Sequence, residues 1–205
     1  MRFILIRGKL ITLEGIDGSG KSTILKRLHR HFQDNPDVIF TREPTSGWIG
    51  EAVYRAIKSE TDPLAELFLF IADHAHHLST TIKPALEDHK IVISDRYSDS
   101  RYAYQGATLK GTVDHPMEWV MGLHKGWTVV PDLTILLDVN PATAITRVGN
   151  RNHQTKFEKI AFLEQVRSNY LKLVEKEPDR FLVVDAGLPI KEVEDIVLSA
   201  ITKQL

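Results

Sequence analysis

The run Gly15-Ile16-Asp17-Gly18-Ser19-Gly20-Lys21-Ser22-Thr23 has the spacing G-x-x-x-x-G-K-[ST], with Gly15, Gly20, Lys21 and Ser22 in the fixed places. That pattern suits phosphate chemistry. Glycines let the backbone wrap closely, so that its N–H groups and the start of the next helix point at phosphate oxygens. Lys21 then reaches the terminal phosphates, and the Ser22 hydroxyl a magnesium ion. Residues Gly15 to Thr23 are therefore the expected ATP site. A second constellation, Asp95-Arg96-Tyr97, follows the apolar run Ile91-Val92-Ile93. An acid ending a strand beside the phosphate loop can hold the metal, and the arginine a phosphate, so Ser22 and Asp95 are the Mg2+ candidates. A phosphoryl group in transfer lies between two anionic partners and needs further positive charge near it. No Asn in the chain precedes Lys, which argues against the Asn-Lys-x-Asp base-reading motif of switch GTPases.

These residues need a scaffold, and short β-rich runs alternate with segments of helical period, the pattern of a parallel sheet covered on both faces. Strands are expected at Leu10–Glu14, Val38–Thr41, Lys90–Ser94, Leu133–Val139 and Phe181–Val184. Each is nearly continuous in apolar residues, as strands buried on both faces should be. Helices are expected at Ser22–Phe32, Ile49–Ser59, Pro63–Glu87, Met117–His124, Pro141–Val148, Lys156–Glu175 and Ile190–Lys203. The class is α/β, a three-layer fold with a five-stranded parallel sheet. With 205 residues and only short polar connections, one domain over residues 1–205 is expected.

Charge and composition narrow the function further. Lys and Arg total 26 against 27 Asp and Glu, so no net charge draws the chain to nucleic acid or anionic lipid. The chain has no Cys, which excludes thiol catalysis and fits a reducing compartment. Neither an export signal nor a membrane span is indicated, so a cytoplasmic location is expected.

The segment Asp95-Arg-Tyr-Ser-Asp-Ser-Arg-Tyr-Ala-Tyr-Gln-Gly106 resembles the signature of thymidylate kinases. The other landmarks of that family follow in order: Glu14 to Thr23, Thr41-Arg-Glu-Pro44, Glu66 to Asp73, Pro131 to Val139, and Phe157-Glu158 before a helix reaching Tyr170. The resemblance runs from about Lys9 to the C-terminus and leaves out Met1–Gly8, which could form an extra edge strand or a mobile arm. It implies transfer of the γ-phosphoryl group of ATP to the 5'-phosphate of dTMP, with Mg2+, in a homodimer. The acceptor is itself an anionic nucleophile, so positioning and charge neutralisation are the main catalytic terms. Carried over by position, Asp17 and Lys21 serve the reacting phosphates, and Arg96 holds the acceptor phosphate. Arg42 and Glu43 line its pocket, Phe70 stacks on the base, and Tyr104 and Gln105 face sugar and base. Some members place a basic residue in the loop where this chain has Gly18. Transition-state charge is therefore assigned to Arg147 and Arg151, in a short lid around 147–156.

Departures from the family cluster at the acceptor base. His74 stands where an Arg usually donates to the thymine carbonyl, and Arg101 where many members have a small polar residue, so either is a candidate replacement donor. Tyr54 likewise occupies a frequent Arg position, and Arg55, about 100° around the helix, is no simple substitute. Asp73 and His77 are a helical turn apart and could share a metal. Without a zinc spacing, the segment is instead read as a helix whose histidines meet the nucleotide or solvent. A kinase of another nucleotide or deoxynucleoside is the alternative function. A nucleoside acceptor would need a carboxylate base near its 5'-OH. A non-catalytic nucleotide-binding module is disfavoured by intact Lys21, Ser22 and Asp95.

Overall fold

The computed structural model describes residues 8–148 and 156–205. Five parallel strands, Lys9–Glu14 (β1), Val38–Arg42 (β2), Ile91–Asp95 (β3), Leu133–Asp138 (β4) and Phe181–Asp185 (β5), form one sheet in the order β2-β3-β1-β4-β5. The expected class and strand number hold. Side chains alternate across the sheet because successive Cβ atoms point to opposite faces. Leu10 and Val92 pack into one core with Leu78, Ile82, Leu86 and Tyr97, while Ile11, Leu13, Ile91 and Ile93 enter the other. Burial on both faces is confined to β1, β3 and β4. The edge strands β2 and β5 are mostly half-buried or exposed, contrary to expectation, because each is covered on one flank only.

The helices are Lys21–His31 (α1), Trp48–Ile57 (α2), Pro63–His77 (α3), Lys83–Glu87 (α4), Ser98–Thr108 (α5), Pro116–His124 (α6), Pro141–Val148 (α7), Lys156–Lys176 (α8) and Ile190–Thr202 (α9). Two of them correct the sequence reading. The single helix expected over Pro63–Glu87 is interrupted by a π turn at Leu78–Ile82. Pro84 has no N–H for the ladder, and Thr80 and Ser79 bond their hydroxyls to the His76 carbonyl at 2.8 and 2.9 Å, so the turn widens there. Helix α5 was not expected, since it shows no apolar stripe. It is buried nearly all round, with Ser98, Asp99, Ser100, Arg101 and Gln105 inside. Asp99 is paired there with Arg180, in bonds of 2.7 and 2.8 Å.

The register sets up the site. Leu13 lies opposite Asp95, and Arg42 opposite Asp95 on the other side, so the loops after β1, β2 and β3 open together at the carboxyl edge of the sheet. Such an edge is where open α/β sheets bind ligands. Of Met1–Gly8 only Gly8 is described; it is buried, and its N–H bonds to Leu86 O at 2.8 Å.

Candidate active site

The loop between β1 and α1 turns through Gly15, Gly18 and Gly20, at φ 141°, 85° and 97°. Lys21, the first residue of α1, is folded back over it. Its Nζ donates to Gly15 O at 2.9 Å and Ile16 O at 3.0 Å, with Ser19 Oγ at 3.4 Å. Burial, then the charge of Arg96, pushes the Lys21 pKa down to about 7. A cavity opens over the loop, lined by Asp17, Gly18, Gly20, Lys21, Ser22 and Thr23 and, from other elements, by Asp95, Arg96 and Arg147. Gly15, Ile16 and Ser19 do not line it and instead serve Lys21. Arg147, exposed at the end of α7, donates to Ala186 O at 3.0 Å. Arg151 and most of the expected lid lie outside the described residues. Asp95 Oδ1 is buried without a hydrogen-bond partner and belongs to the same cavity as Ser22. An orphaned carboxylate oxygen beside a hydroxyl suits Mg2+, which takes few protein ligands and keeps its waters and substrate phosphates.

Arg96 stands where this cavity meets a second one. It follows β3 in the left-handed region, φ 65°, which costs a side-chain-bearing residue roughly 1–2 kcal/mol and marks a position held by its surroundings. Its guanidinium donates to Asp17 Oδ1 (2.5 Å), Ser100 Oγ (3.0 Å), Gly15 O (3.2 Å) and Tyr104 OH (3.3 Å). Burial works against the charge of Asp17, yet Arg96 and Lys21 hold its carboxyl below the usual range. The Asp17 N–H donates to Tyr104 OH at 3.0 Å, tying loop to α5.

The second cavity, about 290 Å³, is lined by Asp17, Arg96, Glu43, Phe70, Arg101, Tyr104 and Gln105, and also by Glu66 and Phe162, which sequence reasoning did not assign. Gln105 Nε2 reaches Glu66 Oε1 at 3.4 Å. Glu66 stood inside a quoted motif and could have been found, whereas nothing in the sequence marks Phe162. Two expected acceptor residues are elsewhere. Arg42 is exposed and faces a separate groove with Thr41, His77 and Asp95. It neighbours Glu43 in extended chain, where consecutive side chains take opposite sides.

His74 is fully buried, with Nδ1 donating to Glu43 Oε1 (2.8 Å) and Nε2 accepting from Thr128 Oγ1 (3.1 Å), so neither nitrogen is left for a base. His77 repeats the arrangement between Glu43 and Thr41, at 2.8 and 2.6 Å. The two histidines thus meet a glutamate rather than nucleotide or solvent. Asp73 is likewise engaged, accepting from Thr45 N and Oγ1 at 2.8 and 2.5 Å. Arg101 bonds Glu43 Oε2 through Nη1 (2.5 Å) and His124 Nε2 through Nε (3.0 Å), and its Nη2 has no partner. Despite burial, Arg101 and the imidazoles hold the Glu43 carboxyl well below the usual range. Burial, then Arg101, pushes His74 down to about 4 and His124 to about 3, so both rings are neutral and the cluster pairs one carboxylate with one guanidinium.

The family model for thymidylate kinase matches residues 13–197. The chain belongs to the thymidylate kinase family. A probable thymidylate kinase of Methanococcoides burtonii is 62% identical over 197 residues, covering 96% of this chain and 98% of that one. One of Methanosarcina mazei is 59% identical over 202 residues, covering 96% of each. A crystal structure of thymidylate kinase from Ehrlichia chaffeensis superposes with a TM-score of 0.73 at 31% identity, covering 95% of this chain and 98% of that one. The kinase has one further buried acid that sequence reasoning passed over. Glu14, which ends β1, accepts from Tyr97 N (2.8 Å), Ser100 Oγ (2.5 Å) and Tyr170 OH (2.9 Å). Burial, then the Asp99 charge, pushes its pKa up to about 7. Its place directly before Gly15 was the available signal.

Proposed function

We propose that the kinase transfers the γ-phosphoryl group of ATP to dTMP, giving dTDP and ADP. The observation that carries this reading is the shared wall of the two cavities: Asp17 and Arg96 line both the phosphate-loop cavity and the Phe70 cavity. A nucleotide on either side would thus present its phosphate to one guanidinium, which neutralises charge as it passes between them. Lys21 would leave its loop carbonyls for the ATP phosphates, Arg147 and Arg151 would supply further positive charge, and Gly15 to Thr23 would wrap the triphosphate. Ser22 and Asp95 would hold Mg2+. When bound, it would offset the charge of the reacting phosphates. Phe70 would stack on the thymine, with Tyr104 and Gln105 beside sugar and base. Arg101 would be the base-facing donor in place of His74: it lines the cavity, and its Nη2 lacks an acceptor, a state that costs about 1–3 kcal/mol when buried.

The same reading takes residues 1–205 as one cytoplasmic domain working as a homodimer. Phe68 on α3 and Trp48 on α2 are exposed, at 52% and 76%, and offer apolar surface to a second copy. Among the described residues no helix is long and apolar enough to cross a membrane. The test is ADP release with Mg-ATP and a panel of dTMP, dUMP, dCMP, dGMP, dAMP, UMP and thymidine. Preference for dTMP is expected, and preference for another acceptor would overturn the assignment.

A further inference from the structure

Glu14 lines neither cavity itself, but Tyr97 and Ser100, which line the second one, both donate to it, and its carboxylate is built into the support of Arg96 by two routes. The side-chain route runs through Ser100, whose Oγ–H donates to Glu14 Oε2 at 2.5 Å while its lone pair accepts from Arg96 Nη1 at 3.0 Å. The backbone route runs through Tyr97, whose N–H donates to Glu14 Oε1 at 2.8 Å immediately after the left-handed Arg96. Arg96 N–H itself bonds Leu13 O at 3.0 Å, and Ser94 Oγ caps Arg96 O at 2.7 Å, so the unusual turn is pinned on both sides next to Glu14. Tyr170 from α8 donates to the same Oε2 at 2.9 Å and stands 2.9 Å from Ser100 Oγ. Three donors from the turn, α5 and α8 thus converge on one carboxylate. Ionised, the carboxylate is an acceptor only and fits all three donors, whereas an amide would turn N–H groups toward at least one of them.

We infer that Glu14 is a positioning residue: through Ser100 and the Tyr97 amide it holds the Arg96 guanidinium at the junction of the two cavities. This rests on the proposed assignment of Arg96 to the acceptor phosphate. A guanidinium aimed from fixed supports meets a phosphate without first losing its own freedom. Loss of the supports therefore weakens recognition of the phosphate and leaves recognition of base and sugar in place.

The experiment measures dissociation constants of dTMP and of thymidine, which lacks the phosphate, by calorimetry on the full chain. It compares the unaltered protein with Ser100→Ala, Glu14→Gln and, as a control on the clamp, Arg96→Met, with a melting curve for each. Expected for Ser100→Ala and Glu14→Gln is a loss of dTMP affinity of at least about tenfold, the effect of one charge-assisted hydrogen bond, with thymidine affinity changed less than about twofold. If Glu14→Gln does not fold, Glu14→Asp, which keeps the charge but shortens its reach to Ser100 and the Tyr97 amide, takes its place with the same expected loss for dTMP alone. Equal loss for dTMP and thymidine would make Glu14 merely structural and overturn the inference. Unchanged dTMP affinity in both variants, with a loss in Arg96→Met, would overturn the positioning role and leave the clamp standing. Unchanged dTMP affinity in Arg96→Met would overturn the clamp assignment and the inference with it.

Discussion

Gly18 allows a direct test of why the loop of this kinase carries no basic residue at that position. It lies at φ +85°, and a Cβ built there would stand 2.3 Å from Ala144 O, 2.8 Å from Ala144 C and 2.9 Å from Val148 Cγ2. The left-handed backbone alone costs a side-chain-bearing residue roughly 1–2 kcal/mol. Ordinary contact begins near 3.4 Å, so α7 or the loop must retreat by about 1 Å, and Ala144 O is backbone that cannot swing aside. Overpacking of that kind costs about 1–3 kcal/mol. Gly18→Ala should then lose on the order of 3 kcal/mol, which in a chain of this size lowers Tm by about 6–12 °C. The displaced loop carries Asp17 and precedes Lys21, and an error near 1 Å in phosphate position is worth on the order of a hundredfold in kcat. The assay pairs a melting curve with coupled ADP release from Mg-ATP and dTMP. Gly18→Arg should fail in the same way and should not restore activity to Arg147→Ala. A Gly18→Ala protein melting within about 2 °C of the parent, with its KM for ATP unchanged, would refute the steric argument.

Further outcomes follow from the buried cluster and the metal candidates. Arg101→Met should strip Glu43 of its guanidinium, destabilise the fold by roughly 3–5 kcal/mol as broken buried pairs do, and raise the KM for dTMP; a KM unchanged in the folded variant would remove Arg101 from base recognition. Between about pH 5 and 6.5, His74 and His124 take protons only when unfolded, because burial holds their folded pKa values near 4 and 3. Their stabilisation is complete above the unfolded histidine pKa and is lost as pH falls. Glu14, raised to about 7, acts in the opposite sense, since the folded chain keeps its proton first. Two groups against one leave a net fall that reaches about 1.4 kcal/mol per unit of acidification near pH 5. Urea titrations of His124→Phe should show that slope flattened, and an unaltered slope would contradict the assignment. Asp95→Asn should raise the Mg2+ concentration for half-maximal activity about tenfold without lowering Tm, because Oδ1 has no protein partner to lose.

The phosphate loop was legible in the sequence because its chemistry is local: glycines, Lys21 and Ser22 act within one turn of chain, and their spacing is their geometry. The central strands were legible for a related reason, since burial on both faces writes a continuous apolar run. Helix α5 was not, because a helix surrounded by protein has no solvent side to impose a period. Its Ser98, Asp99, Ser100 and Arg101 look like loop residues until Arg180, Glu14 and Glu43 arrive from elsewhere in the chain. The same dependence on distant partners separated His74 and Arg42 from the cavity that their motif positions suggested. Burial beside Glu43 and Thr128 closed the histidine, and the alternation of β2 turned the arginine outward. Residue type and spacing determined that this chain binds phosphate and on what kind of sheet. Which arginine stands between the two cavities, and that a buried glutamate braces it, was decided by contacts between segments far apart in sequence, where only the folded packing sets distance and dielectric.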